Sequence, residues 1–509
     1  MTITSSVKLV GGTLSVYGRA VLSGVPAAVA ASSAAAGGAV DGVFLGADLD
    51  ESASRRVVSL GALRDVRFMA CFRSKLWWMS QRMGDKGGDV PHETQFLLVE
   101  SRGAGAGGED AAYVVFLPLV EGAFRASLQG GAGDELELCV ESGDACTRAL
   151  RGRRGVRSLR GHRWRRRRGQ DVTQEGVESG LRSLVASGAP PKFVIIDDGW
   201  QSVGTDQPNC DDPAGEAKQP RLPRLTGREN SKFQSHDDPA AGIRTVVRAA
   251  KEEYGLKYVF VWHAITGYWG GVRPGAASME QYVSSMQFPE ISPGVAENDP
   301  GMKTDWITAQ GVGLMHPRAV YRFYDEQHAY LAAAGVDGIK VDEQCILETL
   351  GAGHGGRAQL TRQYHQALDA SVAKNFPENG VIAWMSHNTD ALYCSKQTAA
   401  VRASDDFFPR DPASHTVHIA AVAYNSVFLG EFMLPDWDMF HSLHPAGEYH
   451  GSARAISGGP VYVSDAPGKH DFELLKKIVL PDGSVLRARL PGRPTKDCLF
   501  TDPARDGVR

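Results

Sequence analysis

From Val7 to about Val140, short β-branched or aromatic runs alternate with Gly, Asp and Ser turns, as in Tyr113-Val114-Val115-Phe116-Leu117 and Glu135-Leu136-Glu137-Leu138-Cys139-Val140. A side-chain repeat of two belongs to strands that bury one face. Many such runs at turn-punctuated spacing predict an all-β domain, a β-sandwich over residues 1–145. The Ala-rich run from Val25 to Val40 is broken by Ser and Gly, too weakly apolar for a membrane span, and reads as a surface loop.

Beyond residue 170 the period changes. Val177, Leu181 and Leu184 fall at helical spacing between Asp171 and Ser187, with Gly188 suited to the helix end. Strand-like runs follow at Phe193–Asp198, Tyr258–Ala264, Gly338–Gln344, Val381–Asn388, Val401–Phe407, Phe432–Asp438 and Pro460–Asp465, with helices such as Val320–Ala334 and Ala358–Lys374 between some of them. Repeated strand–helix alternation predicts a (β/α)8 TIM-type barrel over residues 171–475, with its functional groups where the strands finish. These are seven strands, so the first is missing; its place precedes Asp171, in the anomalous segment 146–170. Ten arginines between Arg151 and Arg168, with no apolar alternation, read as a solvated or disordered run, or as an RNA-binding arm lacking an aromatic platform.

Gly338-Ile339-Lys340-Val341-Asp342-Glu343-Gln344 is the run around which the others are placed. Alternation buries Ile339 and Val341 on one side and sends Lys340 and Asp342 to the other. A strand-end Asp caps the next helix or serves as a nucleophile kept ionised by a neighbouring lysine. Further strand ends carry Asp197, Asp198, Trp200, Trp262, His263, His387, Asn388, Arg402, Asp405, Asp406, Asp436, Trp437, Asp438 and Asp465. Singly, each is a helix cap or a core residue. Together, carboxylates, hydroxyl-binding groups and tryptophans on one rim favour a carbohydrate pocket and a glycosidase chemistry. The aromatic run Phe72–Met79 packs in the core or reaches such a sugar.

The remaining features mainly exclude. No HxH or HExxH spacing supports a metal site, and Gly351-Ala352-Gly353-His354-Gly355-Gly356 lacks the lysine of a phosphate-binding loop. Seven scattered cysteines with no CxxC pair point to a reducing compartment, and no secretory signal is visible at Met1–Ser6, so the expected location is cytoplasmic. A net charge of −4 implies no nucleic-acid partner.

Lys340-Val341-Asp342, Arg402-Ala403-Ser404-Asp405-Asp406, Asp197-Asp198-Gly199-Trp200 and Pro435-Asp436-Trp437-Asp438 resemble the plant raffinose synthase and seed imbibition protein family, of glycoside hydrolase family thirty-six. Phe72–Met83, Glu229–Phe233, Trp262–Trp269 and Met385–Asp390 extend the match over nearly the whole chain. The resemblance implies retaining α-galactosyl transfer without a cofactor, from galactinol to sucrose giving raffinose. An alkaline α-galactosidase acting on raffinose-type sugars, and an inactive sugar-binding remnant, remain as alternatives. Asp342 would be the nucleophile and Asp406 the general acid/base, with Asp405 the adjacent alternative. Asp197, Asp198 and Lys340 would bind galactose hydroxyls, Arg402 would lie near the sugar, and Trp200 and Trp262 would belong to the pocket.

Three departures accompany the resemblance. Arg163-Trp164-Arg165-Arg166-Arg167-Arg168 stands where family members carry a Trp-Cys-Thr-Trp-Asp strand, an abrupt change that reads as a shifted frame or mis-spliced exon. Residues 476–509 read as the start of a truncated C-terminal β domain. Glu343 and Trp384 replace a smaller or apolar residue and a cysteine, and an acid beside Asp342 would raise its pKa if the two faced each other.

Overall fold

The computed structural model describes residues 7–33, 43–47, 54–101, 111–144, 172–205, 221–234, 238–503 and 506. The arginine run lies outside these residues, as does part of the Ala-rich run. The described start of that run is not loop throughout: Ala30–Ser33 pairs antiparallel with Val43–Gly46.

The alternating runs of the N-terminal part form one 11-stranded sheet. Its path runs Val7–Val10, Thr13–Val16, Arg19–Ser23, Arg55–Leu63, Glu135–Glu141, Phe124–Gly130, Thr94–Ser101, Val66–Arg73 and Met79–Gly84, with Ala112–Phe116 and Val120–Glu121 attached at its side. All its pairings are antiparallel, the topology that short turns between successive strands allow. Leu14, Leu22, Leu63, Phe68, Leu97, Val99 and Leu136 fill the core of this part.

The second part is a parallel sheet of six strands ordered Phe193–Ile196, Tyr258–Ala264, Gly338–Asp342, Val381–Ala383, Thr398–Arg402 and Leu434–Asp436. Parallel strands bury both faces against crossover helices, and Gly338–Asp342 in the sheet interior is buried at every residue. Helices Gln174–Ala186, Pro317–Ala333, Arg357–Asn375 and Pro412–Leu429 begin where the sequence signals them. Thr173, His316 and Asp411 accept first-turn N–H bonds, and Pro317 and Pro412 occupy first-turn positions that need no donor. Gly188, at φ +80°, ends the first of these helices.

The seventh expected strand differs. Pro460–Asp465 is extended but forms no strand: it meets Phe440 through Phe440 N–H to Tyr462 O and Ser464 N–H to Phe440 O, at 3.3 and 3.2 Å. Pro460 cannot donate to a ladder, and two bonds to one residue do not make one. Among the described residues, the sheet is therefore an open half-barrel with Phe193–Ile196 and Leu434–Asp436 at its edges. Phe193, Val194 and Ile195 are only half-buried, as expected of an edge strand.

The two parts are joined by buried charge. Arg73 and Arg125 of the antiparallel sheet and Arg357 of the second part meet Glu93, Glu141, Glu348 and Asp390, with Arg73–Glu348 at 2.6 Å, Arg125–Glu93 at 2.7 Å and Arg357–Glu348 at 2.7 Å. Trp77 and Trp78 pack into the core of the second part, so the aromatic run crosses the junction.

Candidate active site

Parallel alignment places all six strand C-termini on one edge, and the polar strand-end residues gather there. Register sets Trp262 beside Lys340 and Ala264 beside Asp342, and pairs Arg402 with Asp436. Lys340 and Asp342, two residues apart, project to the same side. Beyond Phe193–Ile196 the chain turns through Asp197, Asp198 and Gly199, whose φ of +115° favours glycine.

Asp342 is the buried centre. Trp262 Nε1–H donates to its Oδ2 at 3.0 Å, and the Glu343 N–H donates to its Oδ1 at 2.7 Å. Burial pushes its pKa up to about 6, the Asp406 charge adds to the rise, and Lys340 together with the two donors restrains it. Lys340 Nζ bonds Asp197 Oδ2 at 2.6 Å and stands 3.4 Å from the centre of the Trp384 ring. Asp198 accepts from Tyr268 Oη at 2.6 Å and from Trp269 Nε1 at 2.9 Å; burial raises its pKa against both bonds.

On the other wall, Arg402 is fully buried and holds three carboxylates. Its Nη1 lies 3.0 Å from Asp406 Oδ1, its Nη2 2.5 Å from Asp438 Oδ1 and its Nε 3.5 Å from Asp436 Oδ2. Its guanidinium also lies over Trp384, 3.0 Å from the ring centre. Burial raises the pKa of Asp436; for Asp438 burial acts the same way but Arg402 overcomes it and holds the group down at about 2.

Asp197, Asp198, Lys340, Asp342 and Asp406 all line one cavity of about 2270 Å³. It is larger than a typical small-ligand pocket because it continues past the open edge, along Leu181, Phe193, Val461 and Val485. Trp262 reaches the site through its hydrogen bond to Asp342. Trp200, expected on the pocket wall, is instead fully buried behind it, donating from Nε1 to Trp262 O at 2.7 Å. Its apolar ring finds more contact in the core than on a wet rim. Asp405 pairs at 2.6 Å with Nζ of Lys75, a residue of the cavity lining, and is not itself among the lining residues, whereas Asp406 is.

Trp77, Trp269, Trp306 and Trp384 also line the cavity and escaped assignment as binding residues. Trp77 and Trp269 stood inside noticed motifs, but whether a tryptophan faces core or cavity has no local signal. Trp384 stands inside the expected strand Val381–Asn388 and departs there from the cysteine of the family pattern.

This geometry can be set beside known proteins. The chain matches the family described as raffinose synthase or seed imbibition protein Sip1 over residues 7–157 and 167–509. It belongs to that family. The break in the match falls inside the arginine run. This raffinose synthase family chain is 59% identical over 555 residues to "Probable galactinol--sucrose galactosyltransferase 6" of Arabidopsis thaliana, covering 100% of this chain and 73% of the relative. It is 38% identical over 525 residues to "Galactinol--sucrose galactosyltransferase" of Oryza sativa subsp. japonica, covering 92% and 66%. Among solved structures it is similar to TtGalA, an α-galactosidase from Thermus thermophilus in complex with stachyose, at 12% identity and a TM-score of 0.46 over 84% of this chain and 92% of that one.

Proposed function

We propose that this family member transfers an α-galactosyl group, with retention, from galactinol to sucrose to give raffinose. The observation that carries the reading is that Asp342 and Asp406 face one cavity and lie close enough for the charge of one to raise the pKa of the other. A retaining site needs two such carboxyls flanking one anomeric carbon.

In the first half-reaction the Asp342 carboxylate attacks the anomeric carbon as the bond to the leaving oxygen breaks, and protonated Asp406 gives that oxygen its proton. A galactosyl ester on Asp342 results, and the inositol leaves. Esterification removes the Asp342 charge, after which Arg402, 3.0 Å from Asp406, favours the carboxylate that must accept the next proton. Asp406 then deprotonates a sucrose hydroxyl, whose oxygen takes the anomeric carbon and frees Asp342. Asp197, Asp198 and Lys340 bind galactose hydroxyls, Trp384 supports Lys340 and Arg402 through its ring, and Arg402 orients Asp406. The fold that goes with this reading is a β-sandwich over residues 1–145 followed by a (β/α)8 TIM-type barrel over residues 171–475 whose first strand is missing. Galactinol, sucrose and raffinose are the partners and the cytoplasm is the compartment; among the described residues no helix is long and apolar enough to cross a membrane.

Incubation with galactinol and sucrose, followed by product chromatography, tests the reading. Raffinose and free inositol are expected. Free galactose without raffinose refutes transfer in favour of hydrolysis, and no turnover of any α-galactoside refutes both.

A further inference from the structure

One acid in the cavity wall is left without a task by this mechanism. Glu343 follows Asp342 directly, lines the cavity, and is 2% exposed. Its Oε2 is buried without a hydrogen-bond partner. The backbone there is left-handed, at φ +57°, which a long side chain seldom adopts. Position alone would make it the cap of the short helix Gln344–Thr349, but its side chain makes no capping bond. A buried carboxyl oxygen without a partner, on a strained backbone, is costly and calls for a ligand.

We propose that Glu343 is a specificity-determining residue of the galactosyl pocket, donating a hydrogen bond from its carboxyl group to a hydroxyl of the bound sugar. This rests on the galactosyl reading above. The groups that face it are acidic: Asp342 on the preceding strand, Asp198 beyond Phe193–Ile196, and Asp305 at the start of Trp306–Gln310. Burial first, and these three charges after it, push its pKa well above the usual carboxylate range. This crowding favours the protonated carboxyl of Glu343, which can donate a hydrogen bond as well as accept one, whereas an ionised carboxylate only accepts. A sugar hydroxyl both donates and accepts, so an acceptor-rich wall gains discrimination from one donor.

The test compares Glu343→Gln, which keeps an N–H donor of similar shape, with Glu343→Ala, which keeps none. Both are assayed for kcat/KM on nitrophenyl α-galactoside and on its series of monodeoxy analogues, with folding checked by thermal melting. Glu343→Ala is expected to lose about 10- to 100-fold on the parent sugar. Glu343→Gln recovers most of that loss, and the loss in Glu343→Ala disappears for the one analogue lacking the contacted hydroxyl. Wild-type activity in Glu343→Ala, equal damage in both variants, or a uniform loss across all analogues overturns the proposal. Calorimetric titration with galactose reads the same contact without turnover. A wild type that binds galactose but turns over nothing refutes the transfer reading, and the Ala-to-Gln affinity ratio still decides the role of Glu343. A wild type that does not bind galactose overturns both.

Discussion

Replacing Trp262 by Phe removes one atom group that matters, the indole N–H 3.0 Å from Asp342 Oδ2, and leaves most of the ring volume. A hydrogen bond to a charged acceptor contributes about 1.5–3 kcal/mol. At about 1.4 kcal/mol per pKa unit, losing it raises the Asp342 pKa by about 1–2 units. From about 6, that puts the group near 7–8, and the ionised fraction at pH 7 falls from about nine-tenths to between about one-half and one-tenth. The assay is kcat/KM on nitrophenyl α-galactoside across pH, whose acid limb reports the free enzyme's nucleophile. The limb of Trp262→Phe should move to higher pH, with activity recovering towards alkaline pH. Trp262 also packs edge-on against Tyr268 at 5.5 Å, so a fall in melting temperature is expected. If that loosened packing merely admitted water, Asp342 would be better solvated and the limb would move the other way. An unmoved limb, or one shifted to lower pH, refutes the hydrogen-bond account.

Asp342→Asn should abolish turnover and yet stabilise the fold at alkaline pH. The Asp342 pKa of about 6 in the fold exceeds an unfolded value of about 3.9, so its stabilising contribution is complete below about pH 4 and is lost as pH rises through 6, by about 1–3 kcal/mol. A melting-temperature advantage for Asp342→Asn at pH 8 that vanishes at pH 4 is the expected result; the same difference at both pH values contradicts it. Asp406→Ala should lose about 100-fold or more on galactinol but much less in ester formation from nitrophenyl galactoside, whose leaving group needs little protonation; equal losses in single-turnover assays would remove Asp406 from the acid role. Glu348→Ala takes the 2.6 and 2.7 Å partner from Arg73 and Arg357, leaving Arg73 with Glu93 at 3.6 Å and Arg357 with Glu141 and Asp390, and should cost about 3–5 kcal/mol in denaturant unfolding. A loss below about 1 kcal/mol would mean that the remaining carboxylates compensate.

Much of the chemistry was legible along the chain because strand ends are local. The alternation of Ile339 and Val341 with Lys340 and Asp342 sorts those four residues to two faces before any neighbour is known. What alternation could not supply was the partner of each polar group. Trp200 follows one expected strand and Trp384 lies within another, yet the first is sealed behind the site and the second lies beneath two cations. Asp405 and Asp406 are adjacent, yet the first pairs with Lys75, from a distant turn of the antiparallel sheet, and the second with Arg402.

The amino-acid sequence by itself determined the two periodicities, the order of the strands and helices, and the set of acids, cations and tryptophans that end the strands. Tertiary structure decided which of these meet: Trp77 enters the cavity from the N-terminal sheet, Arg402 gathers Asp406, Asp436 and Asp438, and the Glu343 Oε2 is buried without a hydrogen-bond partner. The physical reason is range. Backbone periodicity is fixed by near neighbours, whereas the cost of burying a charge, and hence the protonation state on which catalysis depends, is set by groups the chain brings together from far apart.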